Sequence, residues 1–503
     1  MDFVTWFLVS GLIALVIGYF LSGPNNLPPG PRPLPLLGNT RDLQDGSPHL
    51  LFYQWAKKYG NVMRIYYGTK MMIVLSGYKV IHDCLVKKSQ IFANRPPLYI
   101  NNTVTGINGV SQLRVGRRMV EQRKFVYNCL REVGRLGKID LERKIFEEIE
   151  VMVCWLIFLQ VMFHVFDELK EKPFDPHGVI SKAVANTLSN ICFGFRFEYD
   201  DPRFLKLLGT VPADGSVVLT ADLLQHLPML RFLPKYRDML KAVFVMADNF
   251  IGVIRDEIDE HVKRFKPENE ACDIIDAFLL EMHRAEVNGD KDSSFSRKQM
   301  EWFVGDLFIG GSASPTFQLV WTLVLLVANP EVYKRVENEI DDVIGSARPP
   351  KASDRSKMPY TEATILEVLR YSSPAPLAIP HCTTEEVKVE GYTIPANTVV
   401  TPNLFSIDRD PKTWKHPFEF YPGHFLDEDG SFHRPEAFLP FSAGTRVCPG
   451  EALAKLEIFI FLTSLLQRYH FRLPEGAPPL DTRHGETSNY VRLPRDLVAV
   501  KRT

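Results

Sequence analysis

Seven cysteines are spread over 503 residues, at positions 84, 129, 154, 192, 272, 382 and 448. Their odd number, their wide spacing and the lack of a Cys-x-x-Cys pair argue against a disulfide framework and against a zinc site. Cys448 stands apart by its surroundings. It lies in FSAGTRVCPG, Phe441 to Gly450, directly before EALAKLEIFIFLTSLLQ, a run with the pattern of an amphipathic helix. A cysteine at a helix start meets unpaired backbone N–H groups and the positive end of the helix dipole. Both favour the thiolate, which is the form that ligates metals. Pro449 suits the first helical position. Gly444 permits a tight turn, Gly450 permits a flat ligand to come close, and Arg446 offers a fixed cation two residues from the sulfur. A lone cysteine before a helix is ordinarily structural. The combination of Phe441, Gly444, Arg446, Cys448 and Gly450 is far more specific, and it assigns Cys448 as a thiolate metal ligand.

The elements that must carry this loop are mostly helical. Asp238 to Phe265 and Arg297 to Leu326 show long apolar periodicity with charged faces. Arg64 to Tyr67 and Met71 to Val74 flank Gly68-Thr69-Lys70 as a hairpin, and GYTIPANTVV, Gly391 to Val400, reads as a further strand-and-turn region. Proline-rich stretches at 347–350 and 474–479 read as loops. The expected fold class is mainly α (α+β), a large helical body with small sheets. Upstream of the loop, Glu367 and Arg370 sit three apart on one helix face and can pair.

The N-terminus reads as a membrane anchor. Phe3 to Leu21 carries no charge and approaches the roughly 20 residues that span a bilayer as a helix. Only Asp2 precedes it, so the basic segment of a cleaved signal peptide is missing. Arg32, Arg41, Lys57 and Lys58 follow it, which orients the body to the cytosol. LPPGPRPLPLLGN, Leu27 to Asn39, reads as a stiff, extended spacer. The expected division is an anchor at 1–22, a spacer at 23–40 and a catalytic domain at 41–503. VMVCWLIFLQVMFHVF, Val151 to Phe166, is apolar on every side. Three readings of it stay open: a buried helix, a membrane-dipping helix, or an insertion from translated intron. A net charge of −1 excludes a basic nucleic-acid surface as the organising feature. Apolar residues at 45% and 34 phenylalanines suit a large core and apolar ligands.

With these residues in place, the chain resembles the cytochrome P450 family, in the style of animal microsomal drug- and steroid-metabolising members. The cysteine loop matches the family's haem-binding signature, and Glu367 to Arg370 match its ExxR motif. Pro417 to Phe425, PFEFYPGHF, matches the segment that completes that lock, with His424 where many members have Arg. Phe92 to Pro96 matches an F-x-x-R-P turn. Met119 to Arg123 lies where the family has W-x-x-x-R. The resemblance implies haem b, with Cys448 on the iron and Arg123, His381 and Arg446 on the propionates. A thiolate on iron pushes electron density that favours O–O cleavage. The implied function is a monooxygenase that inserts one atom of O2 into an apolar small molecule, such as a steroid, fatty acid or xenobiotic. Electrons would come from NADPH through a membrane-bound reductase, with a cytochrome b-type donor as a further partner. The body would lie on the endoplasmic reticulum membrane, facing the cytosol. Lys124, Arg131, Lys138 and Lys455 form the expected docking face.

One departure bears on the chemistry. The family's oxygen-binding helix carries (A/G)-G-x-(D/E)-T, and here residues 310–314 read GGSAS, followed by Pro315. Gly310 and Gly311 leave room above the haem and Ser314 supplies the alcohol, but Ala313 replaces the acid of the proton relay. Two other readings therefore stay open: a haem-thiolate isomerase or dehydratase acting on peroxides, and a catalytically impaired haem-binding protein.

Overall fold

The computed structural model describes residues 6–7, 10–11, 26–43, 47–135, 172–209, 224–225, 227–480, 482 and 496–502. The apolar segment 151–166 and most of the anchor lie outside the described residues.

Helices dominate. The longer ones are α1 (Pro48–Tyr59), α2 (Arg117–Arg135), α3 (Pro176–Phe193), α4 (Pro234–Arg264), α5 (Ile274–Val287), α6 (Arg297–Ala328), α7 (Pro330–Val343), α8 (Pro359–Ser372) and α9 (Glu451–Arg468). Their ends carry ordinary chemical signals. Asp175 accepts from His177 N–H at the start of α3, Gly194 ends it in the left-handed region, and Ser296 accepts from Gln299 N–H at the start of α6. Pro234 opens α4 four residues before the expected start, because proline at a first helical position loses no bond.

Helix α6 is the central beam. It packs most extensively on α3 and also on α4, α8 and α9. Two glycines set how closely two neighbours approach. A Cβ on Gly311 would lie 2.6 Å from Leu188 Cδ1 of α3, and one on Gly305 would lie 3.2 Å from Phe250 Cε1 of α4. Helix α6 is also the one described helix long and apolar enough to cross a membrane. Its apolar side chains are instead the core, with Phe303, Leu319, Leu325 and Leu326 wholly buried.

The strands are β1 (Val62–Tyr67), β2 (Lys70–Ser76), β3 (His381–Cys382), β4 (Val387–Val389), β5 (Tyr392–Ile394), β6 (Val399–Asn403), β7 (Tyr469–Arg472) and β8 (Val498–Lys501). The hairpin forms as expected, with Ile65 opposite Met72, and the sheet runs β1-β2-β6-β3. The 391–400 region divides between two sheets. β5 pairs with β4 while β6 pairs with β2 and β3, and Asn397, at φ +59°, turns the chain between them.

Within the expected spacer, residues 26–40 are not a free extended segment. Arg64 N–H donates to Pro29 O at 2.9 Å, Asn39 N–H donates to Tyr66 O at 2.7 Å, and Gly38 bridges to Tyr67. A Cβ on Gly30 would lie 1.9 Å from Arg64 O, so the missing side chain is what lets this segment lie on the hairpin. The folded body therefore begins before residue 41.

Candidate active site

The cysteine loop is held from both ends. Cys448 N–H donates to Phe441 O at 3.0 Å, and residues Gly444–Arg446 form a single 3-10 turn. Gly444 has φ +72°, and a Cβ there would lie 1.7 Å from Leu85 O. Only glycine fits between the loop and the π-helical turn Asp83–Lys87. Helix α9 opens at Glu451 with Gly450 as its N-cap, so Pro449 precedes the helix instead of starting it. The 3-10 turn and the Phe441 bond hold the chain in non-helical geometry through Cys448. Burial pushes the Cys448 thiol up, while the Gly450 N–H bond and the charge of Arg123 pull it down. The helix-start effect is therefore present through one backbone donor, but burial outweighs it, and a cation on the sulfur is what would displace the proton.

Three guanidinium groups gather near the loop. Arg446 is buried; its Nε donates to Ala93 O at 2.7 Å, and its Nη2 donates to Leu113 O. Arg123 Nη2 donates to Val447 O at 2.6 Å and to Tyr127 Oη at 2.9 Å. Arg95 is buried and donates to the carbonyls of Ser111, Ile379 and Pro380. His381 is buried with Nδ1 2.8 Å from Phe92 O, so that nitrogen carries the proton. Burial, and then the charges of Arg95 and Arg446, hold its pKa down at about 3, leaving the ring neutral. Among the described residues, the hydrogen bonds of the three arginines go to neutral oxygens, and Arg446 Nη1 is buried with no partner. Such a cluster calls for anionic groups from outside the chain. Arg95 is the member that sequence reasoning left out of the site. Its signal was the Arg-Pro step of the 92–96 turn, which also ties it to Ile379 and Pro380.

The Glu367–Arg370 pair forms as read from the sequence. The two are wholly buried in α8 and bidentate, with both bonds at 2.7 Å. Arg370 also donates to Asp408 O, Pro417 O and Glu419 O, and Tyr421 N–H donates to Glu367 Oε1 at 2.8 Å. His424 completes the lock. His416 N–H donates to its Nε2 at 3.0 Å, which places the ring proton on Nδ1, 3.2 Å from Glu367 Oε2. A neutral imidazole therefore does here, with one bond, what a guanidinium fork would do with two.

On α6, Gly310 and Ser314 share one exposed face of an otherwise buried beam, and a Cβ on Gly310 would meet nothing within 4 Å. Gly311 faces away from that space, against Leu188, so its role is helix packing; of the two glycines only Gly310 borders open space. The helix runs on through Pro315, which lacks the N–H that Gly311 O would otherwise accept. Ala313 sits between the two exposed positions and the acid is indeed absent. The nearest carboxylate along α6 is Asp306, two turns before Ser314. It accepts from Val110 N–H at 2.6 Å and Ser111 N–H at 2.8 Å, and burial raises its pKa. It anchors the 108–116 loop, and a lone acid in the apolar middle of α6 was its signal in the sequence.

A flat group with anionic arms and a metal that takes a thiolate fits these residues: Cys448 for the metal, and Arg446 Nη1 and its neighbours for the arms. Haem b has these features. The cytochrome P450 family profile matches residues 28–498. The chain belongs to the cytochrome P450 family. This P450 is 38% identical to cytochrome P450 2D15 of Canis lupus familiaris over 459 residues, covering 90% of this chain and 88% of that one. It is 36% identical to cytochrome P450 2U1 of Homo sapiens over 509 residues, covering 95% and 91%. It is 37% identical to vitamin D(3) 25-hydroxylase of Sus scrofa over 457 residues, covering 90% and 88%. It is thus a monooxygenase of the P450 type, as expected.

Proposed function

We propose that this P450 oxidises apolar small molecules of steroid-like or drug-like size, using NADPH electrons delivered by a membrane-bound reductase. One observation carries the reading: a buried arginine cluster beside a thiol loop, bonded among the described residues only to neutral oxygens and with an orphaned Nη1. Cys448 ligates the iron, while Arg446, Arg123 and Arg95 receive the propionates and His381 sits among them as a neutral ring. The haem, when bound, supplies reductive activation of O2. Ser314 holds the hydroxyl that moves a proton on the open face. Ile309 and Ile379, both partly exposed, give that face an apolar lining. The pig relative's name records action on vitamin D3, which makes secosteroids the first substrates to try.

The body sits on the endoplasmic reticulum membrane. Leu36, Leu37, Met229, Phe232 and Leu233 are all more than half exposed. A Cβ on Gly68 would lie 2.4 Å from Leu227 Cδ2 and 3.4 Å from Leu36 O, so the two segments meet there. That apolar face suits a bilayer surface. On the reductase side, Lys124 is exposed and fits a docking role. Lys455 does not, because its side chain is 11% exposed and pairs with Glu451 at 2.6 Å. The side chains of Arg131 and Lys138 lie outside the described residues.

The test is turnover with NADPH, reductase and O2 across vitamin D3, fatty acids and drugs, after a spectral-shift screen for binding. Hydroxylated product from any of them supports the reading. Ala313 favours the alternative, rearrangement of hydroperoxides. Turnover of hydroperoxides without NADPH, and none with it, would replace the monooxygenase assignment.

A further inference from the structure

Resting on the haem-thiolate reading above, we infer that Tyr127 is a positioning residue for the Cys448 ligand, acting through Arg123. The observation is a closed ring of three groups. Arg123 Nη2 donates to Tyr127 Oη at 2.9 Å and to Val447 O at 2.6 Å, and Tyr127 Oη–H donates to the same Val447 O at 3.3 Å. The guanidinium also lies 5.4 Å from the centre of the Tyr127 ring. Val447 O belongs to the peptide bond that Val447 shares with Cys448, so the ring grips the backbone one atom from the ligand's own nitrogen. The other side of the same short segment is fixed by Cys448 N–H on Phe441 O. Two donors on one carbonyl and an acceptor for the N–H leave that peptide little freedom to rotate.

The two partners come from one face of α2, one turn apart, so the helix delivers them together. Tyr127 is 38% exposed, whereas Arg123 is buried. Desolvating a guanidinium is costly unless its donors are satisfied. The phenol oxygen accepts from the nitrogen that also serves Val447 O. Without it, that nitrogen keeps only the Val447 O bond, and Arg123 is freer to turn its donors toward the propionates. Tyr127 thereby divides Arg123 between two tasks: restraint of the ligand's peptide and neutralisation of the haem's arms. No feature of the sequence pattern around Cys448 shows this, because the tyrosine is 321 residues upstream.

The experiment uses the full-length haem protein. Tyr127→Phe removes only the oxygen and keeps the ring, and its thermal unfolding should match the wild type. The readout is the time course by which the ferrous–CO complex passes from the red-shifted, thiolate-type Soret band to the blue-shifted form without thiolate ligation. Tyr127→Phe should convert roughly fivefold faster, because it removes the phenol's bonds with Arg123 and with Val447 O. Arg123→Lys, which keeps the charge but loses the fork, should also convert faster. Adding Tyr127→Phe to it should change less than in the wild type, since only the long direct bond from the phenol to Val447 O remains to be lost. A wild-type time course for Tyr127→Phe, or an equal effect in the Arg123→Lys background, overturns the inference. If Arg123→Lys retains no haem, the Fe–S stretching frequency of Tyr127→Phe alone decides, with a lower frequency expected and an unchanged one contrary. A wild type that never shows a thiolate-type band refutes the haem-thiolate reading itself, which is a separate outcome.

Discussion

The sulfur of Cys448 is held mostly out of water, with the Gly450 N–H turned to it and Arg123 near enough to lower its pKa. Cys382 is a fully buried core residue, whereas Cys448 is only partly buried; the Cys382 thiol makes a weak S–H bond to Thr383 O, and burial raises its pKa too. The two thiols differ in what surrounds them. Cys448→Ala should abolish the thiolate-type ferrous–CO band while Cys382→Ala keeps it; a retained band in Cys448→Ala would refute the assignment. A second residue-scale expectation concerns Asp408, beside the Glu367–Arg370 lock. Burial raises its pKa from 3.8 to about 7, against the opposing pull of Arg409, of the Ser373 hydroxyl 2.9 Å away and of Arg370. A raised carboxyl is one that the folded state prefers to keep protonated. Its contribution is therefore most favourable below pH 3.8 and is lost as pH rises through 7, by on the order of 4 kcal/mol at most. Asp408→Asn keeps an acceptor for Ser373 and should raise the melting temperature at pH 8 more than at pH 5. Equal shifts at the two pH values would show that Asp408 does not titrate in this range.

At the scale of elements, α6 decides both packing and chemistry. Gly311 is committed to Leu188 of α3, so a larger residue there pushes helices apart, while Gly310 borders open space. Ser314 has more rotamer freedom than a β-branched threonine, and Ala313 relays no proton. Poor coupling is expected, with NADPH consumed, peroxide released and little product. Ala313→Glu with Ser314→Thr should raise product per NADPH by roughly tenfold, about 1.4 kcal/mol in the partition. Pro315→Thr belongs in the same series, because it restores the donor for Gly311 O and with it the local helix geometry. If the wild type is already tightly coupled, water or substrate fills the place of the acid.

For the whole molecule, the apolar face at Leu36, Met229 and Phe232 predicts a membrane contact beyond the proposed N-terminal anchor. Deleting residues 2–22 should weaken sedimentation with microsomal membranes while haem incorporation stays intact. The further changes Leu36→Ser, Met229→Ser and Phe232→Ser should release the remainder into the soluble fraction. Unchanged sedimentation after both steps would remove the bilayer from this surface. Loss of all haem from a well-folded truncated protein would show that the body depends on the anchor.

The local patterns carried far. The cysteine loop, the Glu367–Arg370 pair, the hairpin at Gly68 and the long helices were all legible. Each is set by spacing within a short stretch: three residues on a helix, two strands about a turn, a glycine at positive φ. What the chain alone did not show is which distant segments meet. Arg95 joins Arg446 because the 92–96 turn packs by the cysteine loop, 350 residues later. Gly311 turned out to be a packing residue because α3 presents Leu188 to it. The proline-rich segment lies on the hairpin because Gly30 and Gly38 allow the contact, although proline composition alone favours an extended spacer. Glu367 requires a partner in any fold that buries it, and the sequence determined that need. Arg370, three residues on, meets it within one helix; that His424 Nδ1 adds a further bond, with its tautomer fixed by His416 N–H, was decided only when the chain closed on itself, since a hydrogen bond depends on where two atoms lie in space.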